Sequence, residues 1–381
     1  MIFCVECLLP DTKPDLRFDD RGRCSACVNF HVRTNIDWES RKSEFLEILD
    51  KSRKSGHSHY DCVIPVSGGK DSTYQVLKLL ELGARPLTVT ATTCDLTPIG
   101  ERNIQNIRNL GVDHITVSPN PVIRRKLNRI GLERVGDIAW PEHVGIFTAP
   151  VRVAVQYGVS LIVWGENSQN EYGGPEGAVN AQQLDRRWLE EFGGLLGLRV
   201  SDLPDGSEID ALDLFPYSYP SDSELKAAKL SGVFLGHFFP WDGLSNYLVS
   251  QAHGFESYGK KIEGSMVDYE NLDNYHHGIH DYFKFLKFGF GRATDIASLH
   301  VRRGTISRRD ACQIVSTSEG KFPWTYLGKN LGEILSPLGL NVSDFQKICD
   351  SFTNRNLFEV SLGGDLMKDS EGNLIRRFLP A

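Results

Sequence analysis

In the stretch DCVIPVSGGKDSTYQVLKLLELG, residues 61–83, positions 62–66 form an apolar run and positions 67–72 are small, polar or charged. Val76, Leu77, Leu79, Leu80 and Leu82 then recur at helical spacing. That order predicts strand, turn and helix. Downstream, RPLTVTATT reads as a strand, IGERNIQNIRNLG as a helix ending at Gly111 and DHITVS as a strand. NPVIRRKLNRIGLERVG and FTAPVRVAVQYG follow as helices, and VSLIVWG closes the run as a strand. Strands alternating with helices predict an α/β domain over 58–175, a doubly wound parallel sheet covered by helices on both faces, with ligands at the carboxyl ends of its strands. Ahead of it, Trp38, Phe45, Leu46 and Leu49 predict a connecting helix within 36–57. Over 176–381 the period is lost and the chain reads as mainly helical. There RVSDLPDGSEIDALD reads as an exposed excursion, and Ser307 with Asp310 as a capping box.

Composition adds bounds rather than detail. At 381 residues and roughly 150 per domain the chain suits two to three units, and 40% hydrophobic content suffices for buried cores. A net charge of -7 argues against a nucleic-acid footprint, and the basic runs VIRRKLNRIGLER and RRGTISRRD read as solvated helix faces. No apolar stretch approaches the roughly 18 residues of a membrane span, and MIFCVECLLP lacks the features of a signal peptide, so a cytoplasmic location is expected.

Four of the eight cysteines form two close pairs, Cys4-x2-Cys7 and Cys24-x2-Cys27, within residues 1–35. Two such turns complete a tetrahedral thiolate site, the spacing of a structural zinc ribbon. The other reading, two disulfides, is disfavoured in a reducing compartment. So small a knuckle buries no core of its own, and metal is what would hold it.

The turn Ser67-Gly68-Gly69-Lys70-Asp71-Ser72 has the makings of an anion cradle. Its glycines let backbone N–H groups approach a phosphate, and the helix that follows adds positive partial charge. The GxxxxGKS/T pattern fails, because Ile64 stands five positions before Gly69 and Asp71 follows Lys70. The GxGxxG pattern fails too. Two hydroxyls flank two glycines, with a lysine to neutralise charge and an aspartate able to help position a metal ion.

SGGKDS after an apolar strand resembles the PP-loop of the ATP pyrophosphatase superfamily (HUP-like fold), which breaks ATP between its α and β phosphates. GVDHITVSP, LIVWGENSQNEYGG, FFPWDGLSN, FGFGRATDIASLHVRRGTISRRDA and the cysteine knuckle together resemble the N-acetyl sugar amidotransferases of surface-polysaccharide and nonulosonic acid biosynthesis. The resemblance implies ATP and Mg²⁺ as cofactors beside structural Zn²⁺, with a nucleotide-linked N-acetyl sugar as substrate. The acetamido oxygen would be adenylated with loss of pyrophosphate, and ammonia would displace AMP. Ser67, Gly68, Gly69, Lys70, Asp71 and Ser72 would cradle pyrophosphate, while Thr90 and Thr92 lie where such folds receive adenosine.

By their place at a strand's carboxyl end, Glu166 and Asn167 are expected to face the same crevice, with Tyr172, Gly173 and Gly174 on the loop that follows. Glu166 is counted with Lys70 and Asp71 as catalytic. Trp241 is either a substrate wall or core. Arg292 and Asp295 are either an anion site or a turn-anchoring ion pair. His276, His277 and His280 read as surface histidines rather than metal ligands. A glutaminase needs an activated cysteine, and Cys62, Cys94, Cys312 and Cys349 lack the setting for one. Ammonia is therefore expected from a separate glutaminase, and the resemblance adds a cyclase-like subunit. The competing readings are a tRNA-thiolating enzyme, which would need further cysteines, and a non-catalytic nucleotide sensor on the same fold.

Overall fold

A computed structural model of the chain describes residues 1–55, 58–166, 195–203 and 209–380. Helices α1 (Ser25–Arg33) and α2 (Trp38–Lys54) lead into β1 (Cys62–Pro65), α3 (Lys70–Glu81), β2 (Pro86–Ala91), α4 (Pro98–Asn109) and β3 (Asp113–Val117). Next come α5 (Pro121–Val135), α6 (Trp140–Tyr157) and β4 (Leu161–Trp164). The five-stranded sheet has the order β3-β2-β1-β4-β5, every pairing parallel. Its fifth strand, β5 (Ser231–Phe234), comes from the stretch read as mainly helical, beyond the expected 58–175.

Strand alternation decides the two cores. Cys62, Ile64, Leu161, Val163 and Val233 face one layer with Phe45 and Leu49 of α2 and Val76 and Leu79 of α3. Val63, Leu87, Val89, Ile162, Trp164 and Phe234 face the other, with Val151, Val153 and Ala154 of α6. A sheet buried on both faces gives continuous apolar runs, which is why β1 and β4 were legible without alternation. The fold is thus the expected α/β doubly wound parallel sheet. Strand order reverses between β1 and β4, so their carboxyl ends open the crevice where such sheets take ligands.

Helix α6 starts at Trp140, seven positions ahead of the sequence expectation, with Pro141 in its first turn, where the missing N–H costs nothing. Of the stretch read as an exposed excursion, 204–208 lie outside the described residues; Ser201, Asp202, Asp210 and Leu212 are exposed as expected, while Leu203 and Ile209 are buried and pack with Leu127 and Trp140. The basic run on α5 is not wholly solvated either. Arg124 is buried, donating to the carbonyls of Thr92 (2.8 Å) and Thr93 (2.7 Å) at the end of β2.

Beyond the sheet lie α7 (Asp222–Ala227), α8 (Gly243–Ala252), α9 (His277–Phe288), α10 (Arg292–Arg302), α11 (Arg308–Ser318) and α12 (Val342–Phe352). Phe283, Phe285, Phe322, Phe345 and Phe358 dominate the core around α9 and α12, while α10 and α11 pack through Ala293, Ala297, Ala311 and Val315. The segment before α9 is tied over the carboxyl end of β2. Thr97 N–H donates to the Asp273 carbonyl at 3.1 Å, and Tyr275 N–H to the Asp95 carbonyl at 3.1 Å. Among the described residues no helix is long and apolar enough to cross a membrane.

Candidate active site

The turn after β1 is built as its sequence requires. Gly68 has φ +86°, and a Cβ there would sit 2.9 Å from both the backbone N and Cγ1 of Ile104 on α4, so neither conformation nor space admits a side chain. Gly69 N–H donates to Ser67 Oγ at 3.3 Å, while Ser72 Oγ donates to the Gly69 carbonyl at 2.9 Å. Residues 67–72 line a cavity of about 280 Å³. Its remaining walls come from Thr93, from Glu142 and His143 on α6, and from Tyr269, Glu270, Asn274, His277 and Arg292.

Lys70, at the start of α3, is 5% exposed. Its ammonium lies 2.5 Å from Asp71 Oδ2 and 3.1 Å from Glu270 Oε1. Burial works against its charge, but Asp71 and Glu270 outweigh it and raise the pKa, so the lysine is a permanent cation. Glu270 also pairs with Arg292. Burial would push its carboxyl up, yet Arg292 and Lys70 hold it at about 2. Asn246 of α8 donates to Asp71 Oδ1 at 2.8 Å, and Ser250 Oγ donates to the Lys70 carbonyl at 2.7 Å. The result is a fixed, charged, partly desolvated site.

Residues 255–368 match the family described as LPS biosynthesis protein WbpG-like, C-terminal domain. No curated protein matches the chain. The solved NMN synthetase from Francisella tularensis is similar over 51% of this chain and 94% of its own, at 13% identity and a TM-score of 0.26. The WbpG-like segment supplies Glu270, His277 and Arg292, so the cavity lies between the sheet domain and that segment.

The structure distributes the other expected residues unevenly. Glu166 follows β4, accepts from Trp241 Nε1 at 3.0 Å and adds to the negative field around Lys70. Trp241 itself is 5% exposed and part of the core beneath the sheet, edge-on to Tyr74, so it orients Glu166 rather than walling the cavity. Thr90 spends its hydroxyl on the Val66 carbonyl at 2.7 Å, and Thr92 accepts from Arg124 Nη2 at 2.9 Å. Thr93, which the sequence did not single out, is the threonine on the cavity wall. Arg292 and Asp295 do not pair with each other. Arg292 turns to Glu270, and Asp295 is buried against Lys284 of α9. Asn167, Tyr172, Gly173 and Gly174 lie outside the described residues.

The surface reading of the three histidines needs correction. His276 is buried, and that burial lowers its pKa to about 3. His277 Nε2 lies 3.1 Å from Asp273 Oδ1 at the cavity wall, and His280 Nδ1 lies 2.8 Å from Asp137 Oδ1. Nothing local in YHHGIHD marks these contacts, because the carboxylate facing His280 lies 143 positions away in sequence.

The knuckle residues Cys4, Cys7, Cys24 and Cys27 converge. Cys4 and Cys27 sulfurs are 3.8 Å apart, Cys7 and Cys24 3.6 Å, and Cys24 and Cys27 3.6 Å. A disulfide needs about 2.05 Å. Bonds of about 2.3 Å from a tetrahedral zinc would set the sulfurs about 3.8 Å apart, so the cluster fits a zinc ribbon. It is seated on the WbpG-like segment: Leu8 packs on Ala293 and Ala297 of α10, and Arg308 donates to the Cys7 and Cys4 carbonyls at 3.1 and 3.3 Å. Because α10 begins with Arg292, the knuckle braces the helix that completes the Glu270 pair. Purified protein is expected to carry a single tightly held zinc by elemental analysis. Cys24→Ser should release it and lower the melting temperature, and iron or no metal in the wild type would contradict the assignment.

Proposed function

We propose that this chain is an ATP-dependent amidotransferase that converts the N-acetyl group of a nucleotide-linked sugar into an acetamidino group. The observation that carries the reading is the Ser67–Ser72 turn at the point of strand reversal, with buried Lys70 facing a cavity closed by the WbpG-like segment. In this reading the acetamido oxygen attacks the α-phosphate of ATP and pyrophosphate leaves against the loop amides and Lys70. Ammonia then adds to the activated carbon, and AMP departs with the former acetamido oxygen. An amide carbonyl is a poor electrophile, so the energetic task is charge neutralisation and positioning, and the fixed Lys70 cation supplies both.

Asp71, with Glu166 nearby, provides the hard oxygen ligands that suit Mg²⁺, which when bound would neutralise the phosphates. Arg292 lines both this cavity and a second one of about 390 Å³ bounded by Tyr282, Phe285, Phe322 and Trp324. That shared arginine with aromatic walls behind it supports a substrate role for Arg292 toward the sugar and its anionic carrier.

The cysteines support an external ammonia source. Burial raises the pKa of Cys62 and of Cys349, and burial followed by Glu142 pushes Cys94 up to about 12. A nucleophilic thiolate needs the opposite shift. In this reading a separate glutaminase delivers the ammonia, with a cyclase-like subunit as a further partner. The same buried thiols speak against a sulfur-carrying enzyme.

With ATP, Mg²⁺, ammonium and a panel of nucleotide-linked N-acetyl sugars, chromatography should show sugar-dependent AMP and pyrophosphate. Glutamine should not replace ammonium until a glutaminase is added. ADP and phosphate as products would refute the mechanism, and glutamate release by the chain alone would refute the two-protein arrangement.

A further inference from the structure

We propose that Asp137, His143 and His280 form a second metal site, which takes a divalent first-row transition ion such as Zn²⁺ and leaves at least one coordination position to water. Its existence does not depend on the amidotransferase reading. Asp137 lies in the short connection between α5 and α6, and His143 and His280 lie in the first turns of α6 and α9. Each residue offers a ligand atom within 4.8 Å of the other two. Asp137 is 3% exposed and held in place: its own N–H donates to the Gly131 carbonyl at 3.0 Å, and its Oδ1 accepts from Ala139 N–H at 2.9 Å. His280 Nδ1 lies 2.8 Å from Oδ1, and His143 Nδ1 lies 3.1 Å from Oδ2. The two imidazole planes are 78° apart, with ring centres separated by 5.1 Å.

His143 Nδ1 is what points to an ion. It is buried and close to a carboxylate oxygen, yet the ring is not oriented to bond that oxygen, and the nitrogen has no hydrogen-bond partner among the described residues. Buried polar atoms without a partner are rare in native proteins, and water or an ion commonly accounts for them. Water would meet the nitrogen; a cation meets the nitrogen and also neutralises the buried carboxylate beside it. Ligands of one ion differ from a hydrogen-bonded pair in this same respect, since their lone pairs converge on a third point rather than on each other. Bonds of about 2.1 Å to nitrogen and oxygen set neighbouring ligand atoms about 3.0 Å apart in octahedral and about 3.4 Å apart in tetrahedral geometry. The two Nδ1–carboxylate separations are of that size. His280 exchanges its hydrogen bond on binding: Nδ1 gives its proton to solvent and its lone pair to the ion.

The donor set selects the class of ion. Imidazole suits zinc, iron, nickel and copper, whereas Mg²⁺ and Ca²⁺ take oxygen shells. His277, close by on α9, is hydrogen-bonded to Asp273 and stands outside the set. Three protein ligands make an open site, unlike the closed set of four thiolates in the knuckle. The side chains of His143 and His280 are 24% and 30% exposed, so an ion can enter and leave, while all four knuckle cysteines are sealed. The knuckle therefore keeps its zinc through purification, and this site fills when the ion is supplied. Because His143 and Ala139 also line the cavity of the Ser67–Ser72 turn, the ion would lie beside that cavity.

The test uses the full chain with its knuckle zinc in place, dialysed free of loosely held metal, and Zn²⁺ or Co²⁺ alone as the probe. Equilibrium dialysis should show one further ion per chain, and added Zn²⁺ should raise the melting temperature of the wild type. The further Co²⁺ should show ligand-field absorption without the sulfur-to-metal charge transfer of a thiolate site, and excess Mg²⁺ should not displace it. A group that only orients a metal ligand is worth about 10–100-fold in affinity, so His143→Gln and His280→Gln should each weaken uptake about 100-fold or more. Both variants should keep the knuckle zinc and the circular dichroism of the wild type, and if one fails to fold the other decides. No further ion in the wild type would overturn the proposal. Uptake unchanged in either folded variant would overturn it as well, by assigning the ion to other side chains. A charge-transfer band on the further Co²⁺ would move the ion to cysteine, and displacement by Mg²⁺ would move it to carboxylates; either result contradicts the site.

Discussion

Lys70→Met should lower sugar-dependent AMP formation by about 100-fold or more, the scale on which losing one preorganised charge-stabilising group is felt. The expectation follows from where the ammonium sits. It is buried at the start of α3, in the loop that lines the cavity, and fixed by Asp71 and Glu270 rather than free to be replaced by solvent. Methionine keeps the length and apolar stem, so the helix and its packing against α8 should survive, and circular dichroism should match the wild type. Asp71→Ala should produce a loss of similar size, since it removes both a partner of Lys70 and the anchor for Asn246. Steady-state release of AMP and pyrophosphate measures both variants, and turnover within a few-fold of wild type in Lys70→Met would contradict the role given to the loop.

Glu270→Ala should have the largest effect on stability. It leaves Lys70 and Arg292, both turned toward the same buried carboxylate, with their shared counter-charge gone. Breaking a buried ion pair from one side costs about 3–5 kcal/mol, and because Asp71 still faces Lys70 the lower end of that range is expected. A large downward shift of the urea midpoint is the expected reading, and Lys70→Met/Glu270→Ala together should lose less than the sum of the single changes. The same carboxylate predicts an acid limb in stability. Its pKa is lowered from 4.5 to about 2, so its contribution is complete above about pH 4.5 and is lost as pH falls toward 2. In Glu270→Gln that part of the pH dependence should be missing.

What the sequence disclosed and what it withheld separate along a physical line. The turn from β1 into α3 is specified by adjacent residues: an apolar run, two glycines and a helical period are local signals, and the Gly68 conformation is local too. The knuckle is equally local within each pair of cysteines. Lys70's main partner from outside the loop is Glu270, 200 positions away, and no period or motif in one sequence connects them. Asp137, His143 and His280 meet only because α6 and α9 are laid against the same edge of the cavity. Trp241, for which core is one of the two readings, and Thr90 show how tertiary packing decides a side chain's use. Thr90 lies near the end of β2, where a ligand role is plausible, yet its hydroxyl goes to a backbone carbonyl, and the Trp241 indole goes to Glu166. The strand β5 escaped notice because SGVF is four residues long and holds a glycine, too short a signal to stand out among helices.

The measurement that bears most directly on the amidotransferase reading is the fate of the acetamido oxygen. A nucleotide-linked sugar whose N-acetyl carbonyl carries heavy oxygen, incubated with the chain, MgATP and ammonium, should yield AMP that has gained the label. The sugar should become newly basic and lighter by the difference between oxygen and NH. Label recovered in water or phosphate, with AMP unlabelled, would contradict adenylation through that oxygen.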